Sequence, residues 1–213
     1  MNRKATEQQN IIEYINLQLK SGGKVQYIGF WGAKGREHKN HYDDVVLHNL
    51  NQYLYCLNRI IPIKWYCILC DEHALFNGYD RQKVYSYLKE IEIRLLQIGI
   101  EVLWMSDIWT DHKIKTLVDA MLLNLYQSWE KHDLSEILFI QAARHSSNLN
   151  TPEYNSLYYY TMRRVEARAL EQIFGTAVFY SFASDKLKEL CPDMPKLYLW
   201  SQKRGISKAP WLY

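Results

Sequence analysis

Eight residues in the first half of the chain, Ile63-Lys64-Trp65-Tyr66-Cys67-Ile68-Leu69-Cys70, make a nearly continuous apolar run. A run this short, without polar alternation, predicts a strand buried on both faces, and such strands sit at the centre of parallel sheets. Parallel neighbours require crossover connections, so the run constrains what must flank it. Residues 24–31, KVQYIGFW, predict a strand before it, and residues 100–105, IEVLWM, predict one after it. Helical patterns fill the gaps. Val45, Val46, Leu50, Leu54 and Leu57 share one face of a helix over 41–57, and a second helix over 80–97 stops at Gly99. An amphipathic helix over 5–20, stopped by Ser21-Gly22-Gly23, precedes the first strand. The β-α-β-α-β order predicts an α/β fold with a parallel sheet, right-handed crossovers and flanking helices.

The second half reads as mainly helical, with helices over 112–130, 135–144 and from Thr151-Pro152-Glu153 to about Phe174. Pro152 suits the first helical position. Residues 176–181 predict a strand, 184–190 a short helix, and 196–200 a last strand before a basic tail. At 213 residues a single domain over 1–213 is expected, with the segment of about 112–175 as a helical insertion. Hydrophobic residues at 48% and charged residues at 23% argue against disorder, and a net charge of +3 argues against a dedicated nucleic-acid binder. The start of the chain is polar and no apolar run is long enough to span a bilayer, so a cytoplasmic protein without membrane contact is expected. Cys67 and Cys70 form a CxxC, but residues three apart on a strand face opposite sides, so buried reduced thiols are expected rather than zinc or redox use.

Ligands of open parallel sheets bind beyond the carboxyl ends of the strands. Three polar strand ends therefore converge: the 32–41 loop, Asp71 to His73, and Ser106 to Asp107. The first carries His38-Lys39-Asn40-His41 where a loop meets a helix. Two imidazoles three residues apart can share a helix face and, with the helix's first N–H groups, attract phosphate. They could also supply two metal ligands, or belong to a solvated basic loop. Tyr158-Tyr159-Tyr160 with Arg163, Arg164 and Arg168 interleaves aromatic and basic side chains, as a nucleic-acid surface does. The plainer alternative has these arginines facing water or pairing with Glu166 and Glu171. The stretch 106–112, SDIWTDH, reads as loop capping before it reads as a metal site.

Tyr27-Ile28-Gly29-Phe30, followed after a short basic loop by His38-Lys39-Asn40-His41, resembles the start of the tyrosyl-tRNA synthetase catalytic domain and its HIGH signature. The resemblance continues in order through Leu69-Cys70-Asp71-Glu72-His73-Ala74 with Asn77, Val102 to Asp107, and Phe139-Ile140-Gln141. Lys203-Arg204-Gly205-Ile206-Ser207-Lys208 is similar to the mobile KMSKS loop. The resemblance implies a Rossmann-like (HUP-type) sheet of the class I aminoacyl-tRNA synthetase kind, including the tryptophanyl enzymes. It implies ATP with Mg²⁺ as cofactors and attack of an amino acid carboxylate on the α-phosphate. His38 and His41 would face the phosphates, and Lys203 and Lys208 would hold the departing pyrophosphate. Gly29, Asn40 and Ser207 would contact the nucleotide, while Tyr27, Asp71, His73, Asp107 and Gln141 would line the substrate pocket. Arg163, Arg164 and Arg168 would offer a tRNA contact, and a homodimer is compatible with the kind.

The pattern also departs from that family. Asn40 stands for the glycine of HIGH, Phe139 for the amino-binding tyrosine, and Arg144-His145 where a hydroxyl-reading aspartate belongs. The chain ends straight after the KMSKS-like loop, so ordinary tRNA charging is not expected, and adenylation of an amino acid or related carboxylate for ligation or transfer is. An alternative is a transferase similar to cyclodipeptide synthases, synthetase-like domains of this size that consume charged tRNA without ATP; the basic helix favours it. His38 to His41 and the lysine tail speak against it, and no serine precedes His38 in the first loop. The lysine-bearing first loop and Cys70-Asp71 loosely resemble isonitrile synthases. A non-catalytic binding module is a further reading, because folds of this kind are reused.

Overall fold

The apolar run is a strand, β2 (Ile63–Cys70), with the boundaries expected for it, and it lies inside a parallel sheet between β1 (Val25–Gly32) and β3 (Glu101–Trp104). The computed structural model describes residues 7–33, 37–130, 152–181 and 194–199. Within them β4 (Val178–Ser181) pairs with the far side of β1, and β5 (Lys196–Tyr198) closes that edge. The strand order β3-β2-β1-β4-β5 places the reversal of winding between β1 and β4. That reversal opens a crevice at the carboxyl ends of the two strands.

Helices α1 (Gln8–Ser21), α2 (His41–Asn58) and α4 (Arg81–Gln97) pack on one face. Their Ile11, Leu47, Leu50, Leu54, Val84, Leu88, Ile91 and Leu95 meet Val25, Tyr27, Trp31 and Trp65 of the sheet. Each such side chain contributes about 1.5–3 kcal/mol by leaving water. Helices α5 (Met105–Asp111), α6 (Ile114–Glu130) and α7 (Pro152–Phe174) cover the other face, against Ile28, Ile68 and Phe179. Alternation along β1 separates the two layers, since Tyr27 and Trp31 point one way and Ile28 the other. The described helices between β3 and β4 thus lie in this second layer, across the sheet from the first.

Terminators act where expected. Gly22 ends α1 with φ +67°, and Gly99 follows α4 with φ +84°, a region that favours a residue without Cβ. Two short helices were not expected. The polar strand ends at Asp71 and at Ser106 open directly into α3 (Asp71–Phe76) and α5, so SDIWTDH is mostly helix rather than capped loop. The helices expected over 135–144 and 184–190 lie outside the described residues. No helix among the described residues is long and apolar enough to cross a membrane.

Candidate functional site

Because β2 and β3 end side by side, α3 and α5 start as neighbours, and Asp71 binds them together. Its Oδ1 accepts the Ser106 backbone N–H at 3.1 Å. The convergence of these strand ends is thus as expected, although Asp107 itself stays exposed on α5.

One residue pair further along α3, His73 turns toward α7 and meets a buried charge cluster. Glu166 is 1% exposed and Arg163 is 6% exposed. A carboxylate so placed costs several kcal/mol unless its lone pairs are filled. Here they are filled from three elements. Trp109 Nε1 of α5 donates at 2.7 Å, Arg163 Nη1 at 2.8 Å, and His73 Nε2 lies 2.8 and 2.9 Å from the two oxygens. Burial works to raise the Glu166 carboxyl, but the charges of His73 and Arg163, with their hydrogen bonds, outweigh it and hold it below the ordinary glutamate range. The imidazole lies between the two charged partners: Nε2 faces both Glu166 oxygens, and Arg163 Nη1 comes within 2.9 Å of Nε2 and 3.3 Å of Nδ1.

An aromatic wall surrounds this cluster. The Arg163 guanidinium lies 4.7 Å from the Phe30 ring centre, at the carboxyl end of β1. Tyr159 meets His73 edge-on at 6.0 Å, and Phe76 stacks on Tyr158 at 5.3 Å. His73 keeps 12% of its side chain accessible. The arrangement offers a half-buried aromatic surface, with the hydrogen-bonded cluster of His73, Arg163 and Glu166 beneath it.

The His38–His41 segment sits at the same end of the sheet but on the opposite face. The expected sharing of a helix face does not occur, because Asn40 is the N-cap. Its Oδ1 accepts the backbone N–H groups of Tyr42 and Asp43, while Asp43 Oδ2 accepts the Asn40 N–H at 2.9 Å in a capping box. The helix therefore begins at His41, and His38 lies outside it. His41 is exposed, with its ring beside Tyr42. His38 Nδ1 is 2.7 Å from Glu90 Oε1 on α4, and that bond, the largest influence, raises the imidazole above its usual range. Lys39 pairs with Asp44 at 2.7 Å. Asn40 thus has a local backbone task, with no need of a nucleotide to explain it.

Two other expected site residues are in packed interior. Tyr27 is 2% exposed, its ring is 4.5 Å from Trp65, and burial pushes its phenol up to about 12. Gly29 has its space taken: a Cβ there would come within 2.3 Å of the Tyr180 ring. Tyr180 reaches from β4 across Gly29 and donates to the Tyr66 carbonyl on β2 at 2.9 Å. Glycine at this position makes room for the Tyr180 ring. Arg163 is likewise not a surface group; it pairs with Glu166, the plainer of the two readings of that helix. Arg164 lies over Tyr160 and Arg168 is exposed. Gln141, Lys203, Ser207 and Lys208 lie outside the described residues. Cys67 and Cys70 belong to opposite layers and burial raises both thiols, Cys67 to about 12, so they cannot hold one metal ion together.

Sequence reasoning missed Glu166 and Trp109 as site residues. A signal existed for the first. Met162, Val165, Ala169 and Leu170 are all buried, and Glu166 falls on the stripe they form at helical spacing. A carboxylate on an apolar stripe demands a partner. Nothing local marked Trp109, whose role depends on a contact 57 residues away.

Neither a protein-family model nor a curated protein matches the sequence. Solved structures do match in fold. A cyclodipeptide synthase from Staphylococcus haemolyticus is 10% identical with a TM-score of 0.56, covering 96% of this chain and 100% of its own. Tyrosyl-tRNA synthetase from Pyrococcus horikoshii is 12% identical with a TM-score of 0.52, covering 88% of this chain and 53% of its own. The Archaeoglobus fulgidus enzyme is 12% identical with a TM-score of 0.52, covering 92% and 64%. The chain thus spans between half and two thirds of these synthetases' length. By architecture, strand order and these likenesses, the chain has the class I aminoacyl-tRNA synthetase-like fold that tyrosyl-tRNA synthetases share with cyclodipeptide synthases.

Proposed function

We propose that the chain is an aminoacyl-transferring enzyme that draws its aminoacyl groups ready-activated from charged tRNA, in the manner of a cyclodipeptide synthase. The observation that carries this reading is the end-to-end correspondence with the Staphylococcus enzyme, 96% of one chain against 100% of the other. The filled space over Gly29 supports it, since no nucleotide is needed to complete β1 there. The aminoacyl side chain would lie on the wall of Phe30, His73 and Tyr159. Arg164 and Arg168, on the accessible side of α7, would meet the tRNA backbone. A charged-tRNA substrate would put the enzyme in the cytoplasm.

In such a transfer a neutral α-amino group attacks the ester carbonyl of an aminoacyl-tRNA. A C–N bond forms, the C–O bond to the ribose breaks, and the ribose oxygen takes up the proton that the amine loses. The 37–41 segment would face the phosphates next to that ester, with His41 at the start of α2. The loop between β1 and His38 holds no serine, so no covalent serine ester is drawn there.

A second reading, ATP-dependent activation of an amino acid with Mg²⁺, is favoured by the same histidines at a helix start. In it His38 and His41, with Lys203 and Lys208, would take the phosphates. One experiment separates the two. The protein is incubated with a mixture of charged tRNAs in ATP-free buffer, and with amino acids, ATP and pyrophosphate. We expect peptide products from the first and no pyrophosphate exchange in the second; exchange without products in ATP-free buffer overturns the transfer reading.

A further inference from the structure

We propose that Tyr87 and Glu90 of α4 are positioning residues that aim the His38–His41 segment. This rests on the reading that this segment faces a nucleotide phosphate. The two side chains are three residues apart, hence on one side of α4, and they hold consecutive links of the chain between β1 and α2. Tyr87 Oη accepts from Trp31 Nε1 at 3.0 Å and donates to Asp43 Oδ1 at 3.1 Å. Asp43 Oδ2 in turn accepts the Asn40 N–H. Glu90 Oε2 accepts the Lys39 N–H at 3.0 Å, and Glu90 Oε1 takes His38 Nδ1. Three successive residues, 38, 39 and 40, are therefore fixed directly or through Asp43 by a helix some 50 positions away.

Holding α2 and α4 to the sheet does not need this. Leu47, Leu50 and Leu54 of α2 and Leu88, Ile91 and Leu95 of α4 already belong to one buried apolar core with it. A buried tyrosine–aspartate pair beside that core adds desolvation cost, and what it adds in return is direction. The direction matters at one place, the entry to α2, where His41 is the first helical residue. Among the described residues, the charged groups acting on His38 are Glu90 from α4 and Glu37 from its own segment, and Lys39 beside it donates its N–H to Glu90. Glu90 is held below the ordinary glutamate range first by its bond to His38 and next by the Lys39 N–H.

The test uses Tyr87→Phe and Glu90→Gln in the full chain, with two readouts. The first is turnover of charged tRNA at saturating substrate together with its pH profile. The second is NMR, following His38 titration and the exchange protection of the Lys39, Asn40 and His41 amides. For Tyr87→Phe we expect loss of amide protection at 39–41 and turnover lower by about tenfold or more, because small misplacements of positioning groups cost that much. For Glu90→Gln we expect the His38 titration to fall toward its ordinary value, and any limb of the pH profile due to His38 to move with it. Wild-type protection at 39–41 with an unmoved His38 titration overturns the proposal. If the wild-type protein turns over no charged tRNA, the functional reading fails while the NMR readout still decides the positioning.

Discussion

The two faces of the sheet solve the same task at its carboxyl edge by different means. On the α2–α4 face, the His38–His41 segment is held by an N-cap, a capping box, an imidazole–carboxylate pair at the surface, and the Tyr87 hydroxyl on Asp43. On the α5–α7 face, Glu166, Arg163, His73 and Trp109 join three helices into a buried ionic cluster. The first arrangement is built from neighbours in sequence plus one helix. The second spans 93 residues between His73 and Glu166. Surface pairs are screened and contribute little, while a buried charge left unpaired is costly, so the two faces should respond very differently to substitution.

The largest effect is expected at Glu166. Glu166→Ala leaves Arg163 buried without its carboxylate and should cost about 3–5 kcal/mol, read as a fall in the denaturant midpoint. Replacing both partners, Arg163→Met with Glu166→Leu, should restore much of that stability. If the cluster serves the site, turnover of charged tRNA should not return with it. A double variant that regains both would reduce the cluster to packing. Next comes Gly29→Ala, whose methyl meets the Tyr180 ring and should cost about 1–3 kcal/mol by overpacking. Pairing it with Tyr180→Leu should relieve most of the loss, and an undiminished penalty would mean that the ring is not what fills that space.

Smaller effects belong to the other face. Asn40→Ala removes the cap of α2 and should cost about 1 kcal/mol by thermal unfolding, with Asn40→Ser close to wild type. A nucleotide contact by Asn40 would instead show as a loss of turnover that Asn40→Ser fails to rescue. The pH dependence separates the faces most gently. The depressed Glu166 contributes stability that is complete above the ordinary glutamate value and is lost as pH falls through its lower folded value. The raised His38 contributes in the opposite sense, fully below pH 6.5 and lost as pH rises past its folded value. Melting curves should therefore fall steeply in acid and scarcely change on the alkaline side of neutrality. Glu166→Gln should flatten the acid limb.

The contrast explains how much of the molecule was legible in its sequence. Strands such as Ile63–Cys70 and helices such as His41–Asn58 follow from periodicity and breakers, which are local, and both were found within a residue. The convergence of Asp71 and Ser106 followed from topology, which strand order alone dictates. The site was legible only where its contacts are local. The capping task of Asn40 was not foreseen because an asparagine ahead of a helix has two uses, and capping is satisfied by the next three residues. The packing task of Gly29 was not foreseen because the ring that needs its missing Cβ arrives from Tyr180, far along the chain. Arg163, expected to face tRNA, turns inward because Glu166 lies one turn on and His73 approaches from another element. Contacts of that kind are set by tertiary packing, and no spacing rule reports them.

The claim that the aminoacyl group is handled on the α5–α7 face can be tested by one structure, with an aminoacyl-adenosine amide that cannot transfer its acyl group. We expect the amino acid side chain to rest against Phe30, His73 and Tyr159, with the adenosine toward the start of α2. An amino acid bound instead among α1, α2 and Tyr27, with the Tyr180 ring displaced from Gly29, would contradict it.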